Sequence, residues 1–198
     1  MTVTKNGYAK RLKLSDLKLK DGKEQRIINL NEGDELAKVI VIPNNTLDLV
    51  VCTNLGNGLR LPIDSIKPAS KTAKGQRIIN MATEEDVTDL NVIDPSIKHL
   101  LYITSSGKMK LTELKYFPRA EKGSKSISLI SLDTTEQLIG VISAKKNDQI
   151  KLYGKKGGDN YDPVGVNEIP VRSRVSKGER IVKTLRSDVI VGFKLFQA

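Results

Sequence analysis

A glycine turn followed by basic residues and a short apolar segment returns along this chain about every fifty residues. It reads Thr-Lys-Asn-Gly-Tyr-Ala-Lys-Arg-Leu from Thr4, Thr-Asn-Leu-Gly-Asn-Gly-Leu-Arg-Leu from Thr53 and Thr-Ser-Ser-Gly-Lys-Met-Lys-Leu-Thr from Thr104, so that Gly7, Gly56 and Gly107 stand 49 and 51 residues apart. A looser copy begins at Lys155. Self-similarity at this period marks a unit that cannot bury its apolar face alone and must stack on its neighbours. The 198 residues are therefore read as one domain, 1–198, of four units: approximately 1–52, 53–103, 104–153 and 154–198.

Within each unit the pattern is that of strands. Runs rich in Val, Ile and Leu lead into the glycine turn at 47–51, 99–103 and 149–153 and recur at 189–193, and a second run leaves the turn as in a hairpin. Third runs follow at 26–30, 77–81, 126–130 and 180–184, and acidic turns at 31–35, 84–86 and 133–136 precede a fourth. Helical period is missing beyond single turns near Ser15 and Asp64. Four short strands per unit is the arithmetic of a propeller blade, so the expected fold is all-β with about four four-stranded blades. With aromatics at 4% of residues, branched aliphatics must fill the core.

Lys and Arg number 33 against 23 Asp and Glu, a formal charge of +10 that points to a polyanionic partner. The cations recur at equivalent places. Before the third strand stand Lys74-Gly75-Gln76-Arg77, Lys122-Gly123-Ser124-Lys125 and Lys177-Gly178-Glu179-Arg180, while the first unit departs with Lys20-Asp21-Gly22-Lys23. A glycine lets the backbone approach a phosphate and flanking cations supply charge, so these loops, with Lys71, Arg172 and Arg174, are candidate DNA-phosphate ligands. Further basic candidates on the hairpins are Lys10, Arg11, Lys13, Arg60, Lys108 and Lys110. A ring of such loops would bend duplex DNA without reading its sequence. A propeller-type scaffold for an acidic protein is the alternative.

Chemistry finds little material. With one histidine, His99, and one cysteine, Cys52, no zinc site of ordinary composition can be assembled, and neither a phosphate-binding P-loop nor a Gly-x-Ser-x-Gly elbow occurs. The acidic turns lack a calcium-loop pattern, so no metal, cofactor or catalytic residue is expected. Cys52 lies in an apolar strand, and a lone cysteine fits a reducing, cytoplasmic location. No run approaches the ~18 apolar residues of a membrane span, and no signal-peptide core is present at the N-terminus.

Gly7-Tyr-Ala-Lys-Arg with Leu14-Ser-Asp-Leu, then Glu32-Gly-Asp-Glu-Leu, the Lys-Gly loops and Asp188-Val-Ile-Val-Gly, resemble the C-terminal domain of the A subunit of bacterial type IIA topoisomerases, DNA gyrase and topoisomerase IV. The likeness runs from Val3 to Phe196. It implies a β-pinwheel in which hairpins are exchanged between blades, with a basic rim that binds and bends duplex DNA and presents it for strand passage. It also implies a monomeric isolated domain, a nucleoid-associated setting, and partnership with both the parent's catalytic core and its ATPase B subunit. The gyrase family carries a Gln-Arg-Arg-Gly-Gly-Lys-Gly-like box where this chain has Lys18-Leu-Lys-Asp-Gly-Lys-Glu, a departure that favours a topoisomerase IV-like role. Four repeats against the six usual in gyrase imply a smaller or open ring.

Overall fold

A computed structural model describes residues 1–17, 24–43, 47–156, 158–159 and 161–197. The strands are β1 (Thr2–Thr4), β2 (Tyr8–Lys10), β3 (Leu36–Val39), β4 (Asp48–Thr53), β5 (Asn57–Pro62), β6 (Gln76–Arg77), β7 (Val87–Ile93) and β8 (His99–Thr104). They continue with β9 (Lys108–Glu113), β10 (Ile127–Ser128), β11 (Leu138–Ser143), β12 (Gln149–Gly154), β13 (Val164–Gly165), β14 (Glu179–Arg180) and β15 (Ile190–Phe196). The only helical elements among the described residues are single 3-10 turns at Leu14–Asp16, Ile63–Ser65, Leu114–Tyr116 and Val166–Glu168.

The strands form four antiparallel sheets, ordered β3-β1-β2-β6, β10-β5-β4-β7, β11-β8-β9-β14 and β13-β12-β15. Each is built on the predicted hairpin. Gly7, Gly56 and Gly107 hold φ near +78°, +79° and +78°, a left-handed conformation that costs other residues energy. At Gly7 a Cβ would also stand 2.7 Å from the Ile79 side chain. The buried carboxylates of the acidic turns fasten three hairpin tips: Glu85 accepts from Thr53 Oγ1 at 2.5 Å and Asn57 Nδ2 at 2.9 Å, Glu136 accepts from Thr104 Oγ1 at 2.6 Å, and Asp34 accepts from the Asn6 amide at 3.1 Å.

The outer strand of each of the first three sheets is a two-residue segment lent by the following repeat: β6 pairs with β2, β10 with β5, and β14 with β9. What crosses between blades is thus a short third strand, and the apolar residues after it, Ile78 and Ile79 or Leu129 and Ile130, are buried. The fourth sheet shows three strands among the described residues. Its hairpin is irregular, with Gly154 and Gly158 bonded to each other at 2.9 and 3.0 Å and Tyr161 drawn into the neighbouring core.

Three apolar clusters fill the spaces between successive sheets. Val3, Leu49 and Leu61 belong to the first, Val50, Cys52, Leu100 and Tyr102 to the second, and Leu101, Ile103, Leu152 and Ile190 to the third. Side chains that alternate along one strand serve the two adjacent cores, as a twofold side-chain period requires. No buried cluster among the described residues joins the first sheet to the fourth. Their outer faces instead expose Leu36 and Val39 on β3 and Val191 and Phe196 on β15. Strands β3, β7 and β11 contact one another in series, which places them toward the hub and the lent strands at the outer edge.

Candidate nucleic-acid interface

The loops that carry the lent strands repeat in detail. The amides of Ala69, Ala120 and Arg172 donate to the carbonyls of Arg11, Arg60 and Leu111 at 2.8 Å each, and a turn closes four residues later, Ala73 to Ser70, Ser124 to Glu121 and Ser176 to Ser173. The residue after that turn is Lys74, Lys125 and Lys177. These three lysines are structural equivalents, and the Lys-Gly pair at 122–123 is displaced from them by three residues. The grouping expected from the sequence is corrected accordingly: Ser126, not Gly123, matches Gly75 and Gly178.

That match explains the glycines. A Cβ on Gly75, where φ is +100°, would lie 2.9 Å from the Ala9 carbonyl, and one on Gly178 would lie 3.1 Å from the Met109 amide. Their close approach is to the hairpin of the preceding blade. Gly123, at φ +81° with open space around it, serves an exposed turn.

Two expected phosphate ligands are interior residues. Lys10 is 1% exposed and donates to the Lys71 carbonyl at 2.5 Å; Lys110 is 0% exposed and faces the carbonyls of Leu129, Ser173, Arg174 and Ser176 at 2.5 to 3.0 Å. Burial, aided by nearby Arg174, pushes the Lys110 ammonium down to about 8, and burial also lowers Lys10. Each pins a basic loop from beneath, because an ammonium satisfies several carbonyls that would otherwise lack a donor. In the second blade the same position is Leu59.

Arg11 and Arg60 are also committed to the fold. Arg11 Nη1 reaches the carbonyls of Ile63 and Ile66 at 2.9 and 3.1 Å, and Arg60 pairs with buried Asp48 at 2.7 Å and the Phe117 carbonyl at 3.1 Å. Lys108 and Lys177 both pair with Asp133, Lys108 also meets Glu136 at 3.1 Å, and Arg172 pairs with Glu179. Arg174 donates to the Ser128 carbonyl. The two lysines hold the Asp133 carboxyl down to about 2.

The cations left without an acidic partner among the described residues lie elsewhere. Lys74 and Arg77 are exposed and line a cleft of about 560 Å³ with Asn6, Tyr8 and Asn31. Arg77 stacks over the Tyr8 ring at 5.1 Å and bonds its hydroxyl at 3.3 Å, both neutral contacts. Lys71 meets Gln25 at 3.3 Å and Lys122 meets Gln76 at 2.5 Å, again neutral, while exposed Lys13, Lys125 and Arg180 have no salt bridge among the described residues. Lys20 and Lys23, with Asp21 and Gly22 of the first loop, lie outside the described residues. Lys67, Lys98, Lys145 and Lys146 are exposed as well, and the sequence did not single them out because they follow no glycine signature.

A family model described as DNA gyrase C-terminal domain, beta-propeller, matches residues 1–43, 47–94, 98–145 and 164–196, one segment for each sheet. The chain belongs to the DNA gyrase C-terminal domain family. Two relatives, both named as the A subunit of DNA gyrase, are each 26% identical: that of Aminobacterium colombiense over 95% of this chain and 23% of its own length, and that of Helicobacter pylori strain 26695 over 91% and 22%. The chain thus spans about a quarter of the curated relatives it matches. Among solved structures, a DNA topoisomerase IV C-terminal domain superposes with a TM-score of 0.88 at 20% identity, over 98% of this chain and 60% of that one. A DNA gyrase A C-terminal domain gives 0.87 at 14%, over 99% and 64%. The gyrase and topoisomerase IV C-terminal domains therefore share this propeller-like fold and are longer than this chain. No described helix is long and apolar enough to cross a membrane.

Proposed function

We propose that this domain is a non-catalytic, sequence-independent DNA-binding and DNA-bending module from the A subunit of a type IIA topoisomerase, working with the parent's catalytic core and its ATPase B subunit. The observation that carries this reading is the outer loop of the second repeat. It holds Lys67, Lys71, Lys74 and Arg77 at the edge of the array, none with an acidic partner among the described residues. Bare cations on a convex edge attract phosphates by charge and counterion release, and they carry no pattern of base-reading groups. Bending follows from placing successive loops around the edge, since a duplex that meets several of them must curve. The Lys18-Leu-Lys-Asp-Gly-Lys-Glu stretch, with an aspartate where the gyrase box is basic, supports simple bending of the topoisomerase IV kind over a full chiral wrap.

Fluorescence anisotropy with two unrelated duplexes of equal length, titrated at several salt concentrations, tests the reading. Equal affinities that fall steeply with salt are expected, with a log–log slope reporting ~4–8 phosphates. Affinity that is insensitive to salt, or confined to one sequence, would overturn it.

A further inference from the structure

A second bare cationic cluster lies away from the glycine loops. Lys98 closes the link from β7 to β8, and Lys145 and Lys146 open the link from β11 to β12. All three are exposed, and none has a salt bridge or side-chain hydrogen bond among the described residues. With half-buried His99 and with Ile97, Ala144 and Val171 as an apolar floor, they rim a cavity of about 680 Å³ between the third and fourth blades. Glu113 is the one carboxylate in its lining, and it is already paired with Lys115 at 2.8 Å.

Strand register places this cluster on the side of the array opposite the hairpin tips. His99 faces Glu113 at one end of the third hairpin, and Lys108 faces Arg180 at the other, next to Gly107. Five residues of extended strand separate the two ends, or ~17 Å. At the tip end of this blade Lys108 and Lys177 are neutralised by Asp133. Arg180 keeps its charge at that end, and on the inter-blade side Lys98, Lys145 and Lys146 have no salt bridge among the described residues, with Asp94 and Glu113 in electrostatic reach of Lys145 and Lys98. The cluster adjoins the outer loop of the fourth repeat, because Val171 and Glu113 also line the neighbouring cleft of Tyr116, Arg172 and Arg174. In the first blade, exposed Lys13 lies on the same side.

We propose that Lys98, Lys145 and Lys146 form a phosphodiester-binding cluster, so that duplex DNA crosses the domain at a slant, from the outer loop of the second repeat to the inter-blade side of the third and fourth blades. This rests on the DNA-binding reading above. The tilt of the path follows from the uneven neutralisation of otherwise equivalent loops. A duplex held on cations at two heights of the disc is tilted, whereas one held on the glycine loops alone lies in its plane.

The test compares two charge-reversal sets in the full chain, Lys98→Glu/Lys145→Glu/Lys146→Glu and Lys74→Glu/Arg77→Glu/Lys125→Glu, by anisotropy with one 40-base-pair duplex across a salt series. All six residues are exposed, and circular dichroism melts check folding. The milder Lys98→Gln/Lys145→Gln/Lys146→Gln set guards against indirect effects of reversal. The expected result is a loss of ~10-fold or more for the inter-blade reversal, a smaller loss for the glutamine set, and a salt slope reduced by ~2–3 for both. Loss in the outer-loop set with wild-type binding in both inter-blade sets overturns the slanted path and leaves the DNA-binding reading standing. Wild-type binding in both reversal sets overturns that reading. An inter-blade reversal that keeps DNA affinity but abolishes binding of a poly-glutamate peptide assigns the cluster to acidic protein and also overturns the proposal.

Discussion

The outer loops of the second and fourth repeats occupy equivalent places and hold four cations each, yet they present unequal charge. In the second, Lys67, Lys71, Lys74 and Arg77 have no acidic partner among the described residues, Lys71 meeting Gln25 and Arg77 meeting Tyr8. In the fourth, Arg172 is paired with Glu179, Lys177 with Asp133, and Arg174 with the Ser128 carbonyl, leaving Arg180 without a salt bridge among the described residues. The backbone is the same in both, so a repeat can keep its structural role while its surface charge is cancelled by neighbours. Counting cations along the sequence overstates the fourth loop because one acidic partner, Asp133, comes from another turn of the array and the other, Glu179, folds back onto Arg172 within the loop.

The comparison breaks most sharply at the level of DNA affinity. Lys74→Glu/Arg77→Glu should weaken duplex binding on the order of 100-fold near 100 mM salt and lower the salt slope by ~2, because two phosphate contacts become repulsions. Lys177→Glu/Arg172→Glu should cost ~10-fold or less, since each side chain is already committed to a carboxylate. Isothermal titration with a single duplex checks the ranking. Equal losses would show that the ion pairs of the fourth loop open when DNA arrives.

Beneath the loops the difference is one of support. Lys110 holds the fourth loop by three carbonyls and meets that of Leu129 as well, and Lys110→Met should destabilise the domain by about 1–3 kcal/mol by leaving those acceptors without a donor. Its folded pKa of about 8 lies below the unfolded value, so between about pH 8 and 10.5 the unfolded chain binds more protons and this residue's contribution to stability rises with pH. Denaturant melts of the wild type and Lys110→Met at pH 7 and 9 should show that rise in the wild type only. The reverse slope would mean that the carbonyl cage, rather than burial, sets the titration.

A smaller effect separates the loop glycines. Gly75→Ala should cost ~1–3 kcal/mol, because its Cβ meets the Ala9 carbonyl and its φ is positive. Gly123→Ala suffers from φ alone and should cost ~1 kcal/mol. Thermal denaturation of the two variants resolves them; equal shifts would show that strand crossing at Gly75 tolerates a methyl group.

The parts of the fold that were legible in the sequence are those encoded locally. Turn glycines, alternating strands and a fifty-residue period sufficed for an all-β array of about four blades, and the scarcity of aromatics is met by cores of Val, Leu and Ile around Tyr102 and Phe117. The candidate interface was less legible because charge is local in sequence but cancelled in space. Lys110 looks like any hairpin lysine until the loop of the following repeat closes over it. Lys122 and Gly123 imitate the Lys74-Gly75 pair, and only the main-chain bonds reveal the three-residue offset. Lys98, Lys145 and Lys146 lie in two links far apart in sequence, and strand register alone brings them to one cavity.

The mildest change runs in the opposite direction. If the fourth loop is weak because Asp133 and Glu179 quench it, then Asp133→Asn/Glu179→Gln should strengthen duplex binding by ~2–5-fold and increase the salt slope by ~1, as Lys177 and Arg172 become available to phosphates while Lys108 stays on Glu136. Mild acid cannot substitute for the mutation. The two lysines hold Asp133 at about 2, below its unfolded value, so it stays ionised at pH 5 and the stability it adds fades only as pH falls through about 4 to 2. Wild-type affinity measured at pH 7 and 5 should therefore show no release of Lys177, while the double variant shows the gain at both. Unchanged affinity in the double variant would mean that the fourth loop is kept from DNA by its position in the array, and that the two loops differ in path before they differ in charge.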